Sequence, residues 1–197
     1  NYDKFENITW TAETEVEERD DGFLYPVYTI RTIKDIDGNL VVKYEKKYDY
    51  TKKRIYFTST NAKGKVVKKK FPMKGKTVDD VNMVNFLKTF AAHRGQKGYR
   101  DYYYISDEPK LYHMKVRNAG KETLDLPIGK VNAVKLRLII DLGLLTGVAG
   151  MVVPPTYCWF TDDGNYTWLQ YEGLETNLSS PHIVVYVTKQ YDSEMQK

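Results

Sequence analysis

Residues 8 to 17 constrain the fold more than any other stretch, because two chemically different sets of side chains alternate there without a break. Ile8, Trp10, Ala12, Thr14 and Val16 fall on one side, and Thr9, Thr11, Glu13, Glu15 and Glu17 on the other. Successive side chains leave a strand in opposite directions, so this pattern predicts a strand with one sheltered and one wet face. Asp20-Asp21-Gly22 then turns the chain into a run over 24–33, and Asp37-Gly38-Asn39 turns it into 40–50. Asn61-Ala62-Lys63-Gly64 separates 54–60 from 65–71. Short alternating runs divided by Asp, Asn and Gly read as a meander of hairpins.

One segment has a different period. Thr77-Val78-Asp79-Asp80 resembles a helix N-terminal cap, and Val81, Val84, Leu87, Phe90 and Ala91 follow at helical spacing. His93-Arg94-Gly95 supplies a basic last turn and a glycine stop, so a helix is predicted over 78–94. Alternation resumes over 99–105, 111–116, 131–141, 157–161, 166–173 and 183–190, with turns at Pro127-Ile128-Gly129-Lys130 and Asp162-Asp163-Gly164-Asn165. The expected fold is mainly β: one domain over 1–197, whose long curved antiparallel sheet, a half-barrel or open barrel, wraps around the helix.

A formal charge of +4 conceals a strong asymmetry: residues 1–21 hold eight acidic and two basic side chains, whereas 43–76 hold 13 Lys or Arg and two acidic. The basic run alternates with Tyr44, Tyr48, Tyr56, Val66 and Val67, as a solvated strand face does, and no stacking or arginine-rich motif suggests nucleic acid. Cys158 is the sole cysteine, which excludes a disulfide framework and thiolate zinc. His93, His113 and His182 show no metal-ligand spacing. Nothing calls for a cofactor or metal, and no nucleophile elbow, phosphate loop or dinucleotide fingerprint occurs. A hydrolase using Asp162, Asp163 or His182 would need convergence with Glu172 or Glu175. The pair beside Gly164 reads better as turn residues, so no catalytic residue is expected.

Leu142 to Val153, LGLLTGVAGMVV, is apolar but too short to span a membrane, and no transmembrane segment is expected. Two readings remain open: a buried hairpin, or an exposed apolar lip guarding a cavity. In the second, Leu144, Leu145 and Met151 would join Tyr157, Trp159, Trp168, Phe86 and Phe90 around an apolar ligand. The aromatics also suit a core layer.

From about residue 40 the chain resembles the bacterial domain-of-unknown-function 3108 family of exported envelope proteins. The residues that carry the likeness are the basic and aromatic pair from Tyr44 to Phe57, Asp79-Asp80 leading to Phe86-Leu87-Lys88-Thr89-Phe90, and Tyr102-Tyr103-Tyr104-Ile105. Leu126-Pro127-Ile128-Gly129-Lys130-Val131-Asn132-Ala133-Val134-Lys135 and Trp159-Phe160-Thr161-Asp162-Asp163 follow in the same order. Tyr166 to Gln170 departs from the family pattern in lacking a proline, and the apolar 142–153 stretch is longer. The resemblance implies a curved antiparallel sheet and export to the periplasm or outer cell envelope, with the signal peptide removed ahead of Asn1. It implies no activity and no catalytic residues.

Two functions follow as expectations. The first is a non-catalytic envelope protein that shelters a hydrophobic, lipid-like ligand in its curved sheet. The second is an interaction or assembly module that binds an envelope protein through an exposed strand edge or the Lys-rich face over 63–76, with Lys65, Lys68, Lys69 and Lys70 at its centre.

Overall fold

The structure is a computed structural model and describes residues 8–93, 98–141, 155–174 and 181–189. The chain is mainly β, with twelve strands and one helix among the described residues. Strands β1 (Ile8–Glu18), β2 (Leu24–Asp35), β3 (Leu40–Asp49), β4 (Arg54–Asn61) and β5 (Val66–Pro72) form a five-stranded antiparallel meander in sequence order. The later strands are β6 (Thr77–Asp79), β7 (Arg100–Ile105), β8 (Leu111–Leu126), β9 (Gly129–Asp141), β10 (Thr156–Thr161), β11 (Trp168–Leu174) and β12 (His182–Tyr186). They form a second, seven-stranded sheet in the order β12-β11-β10-β9-β8-β7-β6, curled as a half-barrel. The expected mainly β fold with a curved half-barrel sheet and one helix is what the structure shows; the β5–β6 connection leaves the meander and begins the second sheet.

Contacts divide the chain into two compact units, one comprising residues 1–86 and 102–112, the other 87–101 and 113–197. In the first, Tyr48, Ile55 and Ile105 are buried together, with Tyr50, Phe71, Met73 and Leu111 packed around them. In the second, Leu126, Ala133, Trp159 and Leu169 form a buried cluster, flanked by Leu124, Ile128, Val131, Tyr157 and Val187. Fully burying one such aliphatic or aromatic side chain contributes about 1.5–3 kcal/mol.

Helix α1 is shorter than its predicted span, running over Met83–Ala92. Thr77, Val78 and Asp79 are instead fully buried strand residues, paired in parallel with Tyr103, Tyr104 and Ile105. A parallel pair cannot be joined by a hairpin, and α1 is the crossover that joins β6 to β7. The cap shifts accordingly: Asp79 Oδ1 accepts hydrogen bonds from the backbone N–H groups of Val81 and Asn82. With the helix starting at Met83, the buried stripe is Phe86, Leu87, Phe90 and Ala91, while Val84 is 44% exposed. In the first unit Phe86 packs on Phe23 and Tyr102 at centroid distances of 5.2 and 5.0 Å.

Strand β8 also exceeds its predicted end at 116. It continues to Leu126 and pairs with β9 down to the Leu126–Gly129 contact across the Pro127-Ile128 turn. Gly120, at φ 110°, sits at a bulge opposite Lys135, and the mostly polar run 118–123 is exposed, which hides its strand character. Near the end, β11 begins at Trp168 and not at Tyr166: Tyr166 is buried in the turn at φ 50°, so it does not share a strand face with Trp168.

Gly173 in β11 has a packing reason. A Cβ there would lie 2.7 Å from Thr156 Cγ2 and 2.7 Å from the Tyr171 hydroxyl, which is itself held by its bond to the Leu174 carbonyl. Gly173→Ala should therefore lower stability by about 1–3 kcal/mol, read from the urea midpoint at unchanged m.

Candidate functional site

The register of the meander sorts its side chains onto two faces. On one face the rows run Ala12–Arg31–Tyr44–Ser59–Val67 and Thr14–Thr29–Lys46–Phe57–Lys69. This face brings Arg31 and Lys46 to the Asp79-Asp80 turn and to Asp107. Lys46 is 2% exposed and donates to Asp107 Oδ1 at 2.7 Å, with Asp80 Oδ2 at 3.9 Å. Arg31 Nη1 donates to Asp107 Oδ2 at 2.8 Å and Asp80 Oδ2 at 3.0 Å. Tyr104 donates to Asp80 Oδ1 at 2.6 Å, and Tyr48 donates to Asp79 Oδ2 at 2.6 Å. Beside them Thr14 and Thr29 bond the Asn82 amide, whose Nδ2 also donates to Asp79 Oδ1.

The titrations follow from this packing. Burial works to depress the Lys46 ammonium, but Asp80, Asp79 and Asp107 together hold it above its ordinary value. Burial raises the Asp80 carboxyl; Lys46 opposes that, and the neighbouring Asp107 adds to it. Burial and then Asp79 push the Tyr48 hydroxyl well above its ordinary value. Two neighbouring carboxylates, one with a raised pKa, are the raw material of acid–base chemistry. Here, however, all four oxygens of Asp80 and Asp107 already accept hydrogen bonds from Arg31, Lys46 and Tyr104. The cluster uses its bonding capacity on itself, and its chemistry is that of a clamp between β2, β3 and the segments holding Asp79, Asp80 and Asp107. Sequence reasoning missed it. The one available signal was that Arg31, Tyr44, Lys46 and Tyr48 share the strand parity of the sheltered face.

Strands β1 and β5 end the meander among the described residues. Strand β5 pairs with β4 on one side, and among the described residues no strand lies beyond it. Lys65, Lys68, Lys69 and Lys70 are all exposed, and no carboxylate among the described residues pairs with them. Lys70 lies 5.7 Å from the Tyr56 ring centroid. Lys76, at the end of the same basic run, is engaged differently: it donates to Asp21 at 2.6 Å and sits 3.3 Å above the Phe23 ring. Burial raises the Asp21 carboxyl, but hydrogen bonds from Lys76, Tyr25 and the Phe23 N–H outweigh it and hold the group at about 2.

The residues expected around an apolar ligand are described in part. Leu144, Leu145 and Met151 lie outside the described residues. Trp159 is 2% exposed in the second core, its Nε1 donating to Glu122, with Tyr157 beside it at 5.7 Å and Lys135 over both rings. Trp168 is half-buried opposite Phe160. Phe86 and Phe90 are buried on α1. A shallow recess bounded by Phe23, Tyr25, Lys76 and Phe86 opens to solvent and has no internal space that would hold even a water, so it is not a small-molecule cavity.

Among the other residues singled out, Asp162 pairs with Lys121, and Asp163 accepts from Thr161 and the Asn165 N–H as a turn residue does. His182 faces Glu172 at 3.9 Å and His113 faces Asp101 at 2.8 Å. Cys158 is buried, which pushes its thiol up to about 12. Among the described residues no group of three or more His, Cys, Asp or Glu is placed to hold a metal. No described helix is long and apolar enough to cross a membrane. Comparison of the chain with protein-family models, curated proteins and solved structures finds no match.

Two outcomes test the clamp. Lys46→Met keeps the volume but leaves Asp107 and Asp80 without their buried cation, and should cost about 3–5 kcal/mol in urea unfolding, with part of the loss recovered when Asp107→Asn is added. The second outcome concerns pH. Because the folded pKa of Asp80 is raised, the folded state binds the extra proton, so its contribution to stability falls as pH rises from the unfolded value of about 3.9 through the folded value. Wild type measured against Asp80→Asn should thus be relatively more stable at about pH 4 than at about pH 7.

Proposed function

We propose that this chain is a non-catalytic binding module of the bacterial cell envelope that captures an acidic protein partner along the open β5 edge. The observation that carries this reading is one strand: every residue from Val66 to Lys70 is exposed, β5 ends the sheet among the described residues, and Lys68, Lys69 and Lys70 have no carboxylate partner there. A free edge offers backbone donors and acceptors to an incoming strand, and three consecutive lysines select for negative charge. The envelope location rests on the family resemblance. A hydrophobic carrier, the first expectation from the sequence, is kept as the alternative; it rests on the 142–153 segment and on Tyr157 and Trp168, whose side chains remain partly exposed.

Electrostatic capture makes a direct prediction. A fluorescent polyglutamate peptide should bind at low ionic strength, and its affinity should fall steeply as salt rises. K68E/K69E/K70E should weaken it by about tenfold or more in an anisotropy titration, about 1.4 kcal/mol for each decade. Equal binding by wild type and variant, or insensitivity to salt, would remove the reading.

A further inference from the structure

The other edge of the same sheet carries the opposite charge. Strand β1 pairs with β2 on one side, and among the described residues no strand lies beyond it. Across the wet face the rows read Glu15–Tyr28–Lys47–Tyr56–Lys70 and Glu13–Ile30–Glu45–Thr58–Lys68. Each row therefore starts on an exposed glutamate at β1 and ends on an exposed lysine at β5. Glu13 and Glu15 have no cationic partner among the described residues. With eleven residues, β1 is long enough to cover the seven of β5.

We propose that copies of this chain join edge to edge, the acidic β1 of one copy lying along the basic β5 of the next. The inference rests on the reading of β5 as an acidic-partner site and names that partner as a second copy. Pairing of like edges is disfavoured: β1 against β1 opposes glutamates, and β5 against β5 opposes lysines. Only the unlike pairing brings Glu13 and Glu15 beside Lys68 and Lys70. Geometry permits it, because β1 and β5 run in the same direction at opposite ends of an alternating meander. A copy translated within the sheet then places β5 parallel to β1 with the wet faces continuous. Such a contact is heterologous and leaves one edge free at each end, so it propagates as open chains and not as closed dimers. A seven-residue strand contact is small, which places the association among weak, concentration-dependent ones.

Sedimentation velocity on the full chain tests this. At low ionic strength the weight-average mass should rise with concentration beyond twice the monomer. At about 1 M salt, where the Debye length is about 3 Å, it should return to the monomer. K68E/K69E/K70E alone and E13K/E15K alone should each stay monomeric, since each makes both edges alike in charge. An equimolar mixture of the two should associate again, which also shows that both variants are folded. A wild type that stays monomeric at low salt would overturn the proposal, as would a variant that associates alone as wild type does. Polyglutamate binding in the same samples separates the two ideas. Probe binding by a wild type that never self-associates overturns self-pairing and leaves the acidic-partner reading intact. A mixture that reassociates while wild type fails to bind the probe supports self-pairing and narrows the edge to self-recognition.

Discussion

The ammonium of Lys46, almost without solvent, is the constraint around which the first unit is arranged. An unpaired charge in that position would cost several kcal/mol, so β3 can adopt its register only where Asp107 and Asp80 arrive to meet it. Asp80 is delivered by the end of β6 and Asp107 by the turn after β7, while Arg31 reaches both from β2. One buried cation thereby ties the strands of the meander to the parallel β6–β7 pair. Tyr48 on Asp79 and the Thr14, Thr29 and Asn82 bonds extend the same tie along the sheet. A slip of one residue in β3 would turn Lys46 out to the wet face and leave two half-buried carboxylates without it.

The meander was legible because its signals are local. Strand alternation and Asp, Asn and Gly turns need only a few neighbouring residues, and β1 to β5 fall within one or two residues of their expected bounds. What was not legible depends on distant partners. Thr77-Val78-Asp79 has the residues of a helix cap and does cap α1, but pairing with Tyr103 to Ile105 draws it into a strand. The end of β8 is polar and interrupted by Gly120, and only β9 alongside makes it a strand. Tyr166 looked like a strand residue by parity, yet the Asp163 turn takes it into the left-handed region.

The charged side chains show the same limit more sharply. By composition Arg31 and Lys46 belonged with the solvated lysines, and only their parity placed them on the sheltered face. Asp79, Asp80 and Asp107 lie 33 or more positions from Lys46 in the chain, so nothing in a local pattern can join them. The β5 lysines were legible as an exposed set, whereas the edge position of β5 was not, since that depends on where β6 goes. Of the apolar set, Trp159 proves to be a core residue with its indole N–H satisfied by Glu122, while Leu144, Leu145 and Met151 lie outside the described residues.

With the clamp on one face, no strand among the described residues lies beyond β1 or β5, and the charge gradient between them would give the proposed edge contact a direction. The most direct measurement is a ¹H–¹⁵N correlation spectrum of the labelled chain, titrated with unlabelled polyglutamate at low salt. The account predicts that amide shifts concentrate in β5 and in the Tyr56 to Thr60 stretch beside it, leaving the β8 to β12 strands unmoved. Shifts centred on those later strands, with Val66 to Phe71 unchanged, would contradict it.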